Sequence, residues 1–423
     1  MKYPYPLMKN VRFVEEAMTN INGNVRCYYI SLFLLKMSAA LPHSVLTVLL
    51  LEKGISIRQI AVIQSVYSIA IVLFEFPSGV LSDILNRKYL FLFSKIFLFL
   101  SFIIIFSSNS FLLITGAWFL YGICTALDTG TLESEIINEI KKNSNSQDES
   151  KAKIAKFVTR TARFSLGAML IASTAGSFFF FKIGINIYVA SIILLILSCI
   201  VILLKFSVTK NSDCGKEHNL YTEVKRHITL SILELRQTRL LKYILLLNAV
   251  SQFFFQTHFQ FWQALFIHKN INKKTFYIYY AIFQLAAIGV SYVPVNKIRS
   301  PNMLRLWMFL LPIFAALFFF IQRSSSFIFI AIYLFFVFLF WLLIIYYTFV
   351  YQQMVSRENI SALTSFNSFC SRIIAVCVLW FSGFMLAFFD IQIVVILNFS
   401  IATAVTFFWF FYVLPASKNR SPR

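Results

Sequence analysis

The sequence predicts an all-α polytopic membrane protein that crosses the bilayer about twelve times, in two bundles of six helices. First, 59% of its 423 residues are hydrophobic, only 13% are charged, and the mean hydropathy is +0.76. Second, the apolar residues form long runs of roughly the 20 residues that a helix needs to cross a bilayer. Third, a long basic segment divides these runs into two sets of six. Soluble globular proteins do not have this composition.

The spans follow from a hydropathy window of about 19 residues. The first six are expected at 27–51, 59–82, 89–107, 111–137, 154–179 and 183–204. The last six are expected at 242–267, 275–295, 303–321, 326–351, 361–388 and 391–414. The predicted organisation is an N-terminal segment 1–26, a first bundle 27–204, a central loop 205–241 with an amphipathic surface helix, a second bundle 242–414, and a tail 415–423.

The net charge of +21 reflects membrane topology rather than nucleic-acid binding, because the cations lie in loops and at span ends and form no nucleic-acid motif. Most Lys and Arg fall on one side when both termini and the 2–3, 4–5, 6–7, 8–9 and 10–11 loops are placed there. The positive-inside rule makes that side cytoplasmic. The loop after span seven, with Lys269, Lys273 and Lys274, is an exception. We therefore expect a multi-pass plasma membrane protein with both termini in the cytoplasm.

A short basic turn, GVLSDILNRK, joins spans two and three. Its glycine allows two helices to approach closely, and its acid and cations can form an ion network at the helix ends. Together with the six-plus-six pattern and the basic central loop, this turn resembles the major facilitator superfamily. The signature that the superfamily carries in this loop matches Gly79, Asp83, Arg87 and Lys88.

The resemblance implies a fold and a mechanism. Members have two pseudo-symmetric six-helix bundles, with a substrate site near the bilayer midplane and alternating access by rocking. It further implies that Asp83 and Arg87 hold the outward-open state. The stretches 74–78 and 129–133 are similar to segments of bacterial drug-efflux members, whereas the equivalent second-half loop 295–299 lacks the Gly and Asp.

Four charged residues within spans of the first half are expected at a similar depth: Lys36, Glu75, Asp128 and Arg163. Charges in a bilayer cost about 2.5 to 3.5 kcal/mol each, so each needs a reason. One interpretation is a set of ion pairs that fixes helix register and does no chemistry. The other makes Glu75 or Asp128 a proton carrier, since burial and a nearby cation have opposing effects on the ionisation of a carboxylate.

Span seven carries a row of amides at helical spacing: Asn248, Gln252, Gln256, Gln260 and Gln263. These positions fall within an arc of about 120°. The resemblance to the superfamily implies that this helix faces the central cavity, so the amides are expected to contact substrate. The alternative is that they join helices through hydrogen bonds. Arg372 lies deep in span eleven and is a further cavity candidate, whereas His258 is expected to be a packed or interfacial histidine.

No motif for an enzyme, a nucleotide-binding domain or a metal site is present in the sequence. We therefore expect no enzyme activity, no cofactor, no metal and no nucleic-acid partner. The predicted function is secondary active transport, with protons, a small-molecule substrate and the lipid bilayer as partners, by a monomer. Proton-coupled export of amphipathic compounds such as drugs is the first interpretation. Import of a polar or anionic metabolite is its rival, and a polytopic enzyme or a non-transporting receptor or immunity protein is the alternative from another class.

Overall fold

The computed structural model describes residues 6–128, 131–144, 146–207, 239–291, 326–354 and 360–408, and the isolated positions 293 and 313. Helices dominate this part of the chain. The first eight are α1 Pro6–His43, α2 Leu46–Glu52, α3 Ile57–Ile84, α4 Arg87–Ser107, α5 Phe111–Asp128, α6 Thr131–Lys142, α7 Gln147–Ile183 and α8 Ile187–Lys205. The others are α9 Arg239–His268, α10 Phe276–Ser291, α11 Ser326–Met354, α12 Ile360–Met385 and α13 Ile391–Phe408.

These helices coincide with all but one of the predicted spans, and the span at 303–321 lies outside the described residues except for position 313. Among the described residues, six helical stretches are long and apolar enough to cross a membrane, or seven if a bent pair counts as one span. One stretch, Asp148–Lys205, has 58 residues and contains both α7 and α8. At 1.5 Å per residue it is roughly 87 Å long, enough for two crossings. The chain is a multi-pass membrane protein with the predicted all-α fold.

The chain divides into two compact units, which the structure describes only at the residues given above. The first comprises Met1–Ser44, Leu73–Ser108 and Leu120–Lys216, and the second Val45–Val72, Asn109–Phe119 and Glu217–Arg423. The second unit thus includes α2 and part of α3, which the sequence assigns to the first bundle. The predicted boundary at 205–241 stays a prediction, because most of that segment, including its amphipathic helix, lies outside the described residues.

The first predicted span is broken, because α1 ends at His43 and α2 begins at Leu46, at an angle of 47°. Pro42 lies in the last turn of α1, and the Ser44 hydroxyl donates to the Leu41 carbonyl oxygen at 2.8 Å. Helix α7 passes close to this break at Gly176, where a Cβ atom would overlap the Leu41 carbonyl oxygen. The glycine is therefore required by close approach of two backbones.

Buried serines join α1 to α8 in the first unit. The Ser31 and Ser198 hydroxyl oxygens are 2.7 Å apart, and the Ser38 hydroxyl donates to the Ser191 carbonyl oxygen at 2.7 Å. Each helix contributes its serines seven residues apart, or two turns. Small polar residues allow close helix packing in membranes and supply hydrogen bonds between helices, so these contacts fix the register of α1 against α8.

The second unit is built around α9. Phe254 stacks on Phe340 of α11, with ring centroids 4.0 Å apart and planes inclined by 6°. Asn398 of α13 donates through Nδ2 to the hydroxyls of Thr257 and Ser382, at 2.9 and 2.8 Å. An aromatic face and a polar network thus fix α9 against α11, α12 and α13.

Candidate functional site

A buried ion pair joins α4 to the end of α5. Lys95 Nζ lies 2.7 Å from Asp128 Oδ1, and the side chain of Lys95 is only 3% exposed. The ammonium group also lies 4.3 Å from the ring centroid of Phe91, one turn earlier on α4. Asp128, by contrast, is 31% exposed. A buried cation requires a close counter-charge, and here that counter-charge is itself partly exposed.

Lys95 is a residue that the sequence interpretation missed. Asp128 was expected to share a layer with Lys36, Glu75 and Arg163, but the partner that the structure gives it is Lys95. The signal was present, because Lys95 stands eight residues after Arg87 in an apolar run. That spacing corresponds to roughly 12 Å along the helix, a depth similar to that predicted for Asp128.

The other predicted charges of this layer also belong to the first unit. Lys36 is half-buried on α1 and acts electrostatically on Glu133 of α6. Arg163 is exposed on α7, and Glu75 is half-buried in α3. Proton coupling by Glu75 stays a prediction.

The basic turn connects three helices. Arg87 Nη1 lies 3.4 Å from Glu135 Oε2 of α6, with both side chains largely buried. Lys88 Nζ donates to the carbonyl oxygens of Leu203 and Phe206 at 2.9 and 2.7 Å. A cation at the C-terminal carbonyls of α8 is favourable, because those groups lack partners within the helix.

Gly79 and Asp83 belong to the helical backbone of α3, but their side-chain environment lies outside the described residues. Their predicted role in gating therefore stays a prediction. The structure adds Glu135 as an ion-pair partner of Arg87.

We expect Arg87 and Glu135 to be energetically coupled. In a double-mutant cycle of Arg87→Ala and Glu135→Ala, followed by thermal unfolding in detergent, the double variant should lose about 1 kcal/mol less than the sum of the single variants. Strict additivity would show that the pair contributes no interaction energy.

The amide row on α9 is divided into two parts. Asn248 Nδ2 donates to Asn367 Oδ1 of α12 at 2.9 Å, and Gln256 Nε2 donates to Gln252 Oε1 at 3.0 Å. These side chains are half-buried. They form a partly accessible face that carries amide donors and acceptors and no charge.

The two amides nearest the C-terminal end of α9 pack against α2 instead. Gln263 Oε1 accepts from the Val48 backbone amide at 3.1 Å. At Gln260 it is the backbone carbonyl oxygen, not the side chain, that accepts from the Thr47 hydroxyl at 3.0 Å. Both glutamines are buried. The Gln263 side chain therefore joins α9 to α2, because the first turn of α2 has backbone N–H groups that need partners. The Gln260 side-chain Oε1 has no hydrogen-bond partner among the described residues. The predicted place of both side chains in the substrate cavity stays a prediction.

Arg372 is half-buried on α12, and the described residues provide no hydrogen bond or ion pair to it. His258 is packed, as predicted. It is 2% exposed, its Nδ1 lies 2.9 Å from the Tyr333 hydroxyl, and its ring is parallel to Phe254 within 12°.

Comparison with known proteins agrees with this architecture. A sequence profile described as Major Facilitator Superfamily matches residues 28–134. The structure is similar to the crystal structure of a single-site mutant of the nucleoside transporter NupG, with a TM-score of 0.74 and 11% sequence identity, covering 92% of this chain and 100% of that chain. This chain has the major facilitator superfamily fold. No curated protein matches the sequence.

Two further structures share the superfamily fold. NupG itself gives a TM-score of 0.72 at 12% identity, covering 94% of this chain and 100% of that chain. A bacterial homologue of the human lysosomal transporter Spinster, inward-facing and unoccupied, gives 0.64 at 12% identity, covering 96% and 99%. The profile match includes Lys95, Asp128 and the whole basic turn, so the candidate ion pair lies in the part of the chain that resembles the superfamily in sequence.

Proposed function

We propose that this protein is a proton-coupled secondary transporter, in which the Lys95–Asp128 pair links proton binding to alternating access. The observation that carries the proposal is the asymmetry of the pair. Lys95 is buried and Asp128 is partly exposed, at 3% and 31%. A proton can therefore reach the carboxylate while the ammonium group stays away from water.

Protonation of Asp128 removes the counter-charge of Lys95. A buried cation without a partner is strongly destabilised, so the protonated protein favours a state in which the Lys95 ammonium group reaches water. Release of the proton restores the ion pair and the conformation in which Lys95 is buried beside Asp128. Two protonation states thus favour two conformations, which is what transport against a gradient requires.

For the substrate we propose an amphipathic, uncharged small molecule that is exported in exchange for protons. Asn248, Gln252, Gln256 and Asn367 support this, because neutral amides bond to hydroxyl, carbonyl and ether groups. The second candidate is uptake of a polar metabolite such as a nucleoside. The structural likeness to a nucleoside transporter favours it, and the same amides suit a base and a sugar.

We further propose that the protein acts as a monomer in the plasma membrane with both termini in the cytoplasm. The distribution of Lys and Arg among the loops supports this orientation. The direction of transport can then be measured from vesicles of known sidedness.

The test is transport of a compound panel, nucleosides included, in inside-out and right-side-out vesicles with an imposed pH gradient. Accumulation in inside-out vesicles with an acidic interior supports export, and accumulation in right-side-out vesicles in an acidic medium supports uptake. Gradient-driven transport should be lost in Asp128→Asn and kept in Asp390→Asn, which changes an exposed acid in the same way. Absence of transport for every compound in both orientations would favour a receptor or immunity function.

The amide face should set substrate affinity. We expect Gln256→Ala to weaken binding of the transported compound about three- to tenfold, since one uncharged hydrogen bond contributes about 0.5 to 1.5 kcal/mol. Gln392→Ala is the control, because it makes the same change on α13, outside the amide face. Its affinity for the transported compound should equal that of the unsubstituted protein. Equal affinities for all three proteins, by direct binding in detergent, would remove this face from the substrate site.

A further inference from the structure

A basic cleft lies within the first unit, between α1, α6 and α7. Its volume is about 270 Å³, near the lower limit of small-molecule sites, which is about 300 Å³. The polar groups of its wall are Asn22, Tyr29, Asn143, Lys153, Lys156 and Arg160. The cleft is distinct from the Lys95–Asp128 pair and from the amide face.

The three cations of the cleft share one face of α7. At 100° per residue, Lys153, Lys156 and Arg160 fall within an arc of about 60°. Lys153 has a partner one turn earlier, with its Nζ 2.7 Å from Glu149 Oε1. Lys156 and Arg160 are exposed, and the described residues provide no ion pair to either. The wall therefore carries an excess of positive charge.

No acidic side chain of the described residues forms part of the cleft wall. Glu139 of α6 accepts hydrogen bonds from Asn24 Nδ2 through both carboxylate oxygens, at 3.2 and 3.3 Å. Asn143 donates through Nδ2 to the Glu139 carbonyl oxygen at 2.9 Å. These hydrogen bonds join the buried Glu139 carboxylate to α1.

Two aromatic residues, Tyr29 of α1 and Phe157 of α7, also line the cleft. Tyr29 stacks on Phe157 and Phe164, with centroids 5.8 and 4.9 Å apart. Its hydroxyl donates to the Phe157 carbonyl oxygen at 3.4 Å. The helix that bears the cations is therefore held in place by aromatic packing against α1. The guanidinium group of Arg160 can make two parallel hydrogen bonds to an anion.

We infer that this cleft binds a phosphate group. Three cations and two amides match the charge and the acceptor oxygens of a phosphate, and the volume suits a headgroup or a small phosphorylated solute rather than a large ligand. The phosphate has two possible sources, an acidic lipid and a soluble phosphate. The sequence places the N-terminal end of α7 at the cytoplasmic face, where acidic lipids attract Lys and Arg, which favours the lipid. The inference is independent of the proposed substrate and of proton coupling.

The experiment measures binding to the purified full-length protein in detergent. The probes are inorganic phosphate, dioctanoyl-phosphatidylglycerol and, as a control whose phosphate is neutralised within the headgroup, the zwitterionic dioctanoyl-phosphatidylcholine. The test variant is Lys156→Gln with Arg160→Gln, and the control is Lys141→Gln with Lys142→Gln. The control pair is exposed at the end of the neighbouring helix α6 and lies outside the cleft wall, so it removes the same charge nearby.

The expected result is binding of the phosphatidylglycerol that weakens roughly tenfold to a hundredfold in the test variant, because two charged hydrogen-bond donors are lost. The control variant should bind as the unsubstituted protein does. If inorganic phosphate binds and its binding weakens in the same way when Lys156 and Arg160 are replaced, the site is supported and its ligand is a soluble phosphate. Equal weakening in both variants, or no preference for either anionic probe over the phosphatidylcholine, overturns the inference.

Discussion

Asp128→Asn is expected to lower the free energy of unfolding by about 3 kcal/mol, because it leaves the Lys95 ammonium group buried without a counter-charge. The loss should appear as a lower melting temperature in detergent and as a smaller yield of folded protein. Because Asp128 itself is partly exposed, we expect a loss near the lower end of the range for broken buried pairs.

The double variant Lys95→Met with Asp128→Asn separates stability from coupling. Replacing a whole buried ion pair by uncharged groups often leaves stability unchanged. The free energy of unfolding of this variant should therefore lie within about 1 kcal/mol of that of the unsubstituted protein. Its gradient-driven transport should still be absent. Recovery of both stability and transport would show that the pair is structural and that protons couple elsewhere, for example at Glu75.

Gly176→Ala is expected to destabilise the protein by about 1 to 3 kcal/mol, because its Cβ atom would overlap the Leu41 carbonyl oxygen at the break in the first span. An alanine elsewhere in a helix usually stabilises by up to about 1 kcal/mol relative to glycine. Gly167 provides the matched control, since it lies on the same helix with open space around its Cβ position. Gly167→Ala should therefore raise the melting temperature and Gly176→Ala should lower it. Changes of the same sign in both variants would contradict the close approach of α7 to α1.

Hydropathy was sufficient to predict where most helices lie, because long apolar runs leave the backbone few alternatives in a membrane. It could not predict the break between α1 and α2. Pro42 is visible in the sequence, but the bend also depends on Ser44 and on the approach of Gly176 from a distant helix. Contacts of that kind are set by tertiary packing rather than by local pattern.

The candidate site was predicted in part for the same reason. Asp128 was identified because an acid in an apolar run is conspicuous, and its partner was sought among charges at a similar depth. Depth alone does not specify which helices are neighbours, and α4 supplies Lys95 because it packs beside α6 and α8. The amide row lies along α9, but only the fold shows that the Gln260 backbone and the Gln263 side chain contact α2.

The most direct test of the coupling proposal is proton movement driven by substrate in proteoliposomes that contain a trapped pH indicator. Once the vesicle panel has identified a transported compound, a gradient of that compound alone should drive protons across the membrane in the unsubstituted protein. We expect the Lys95→Met, Asp128→Asn protein to bind the compound but to move no protons. Proton movement at the unsubstituted rate by that variant would show that the Lys95–Asp128 pair does not couple protons to transport.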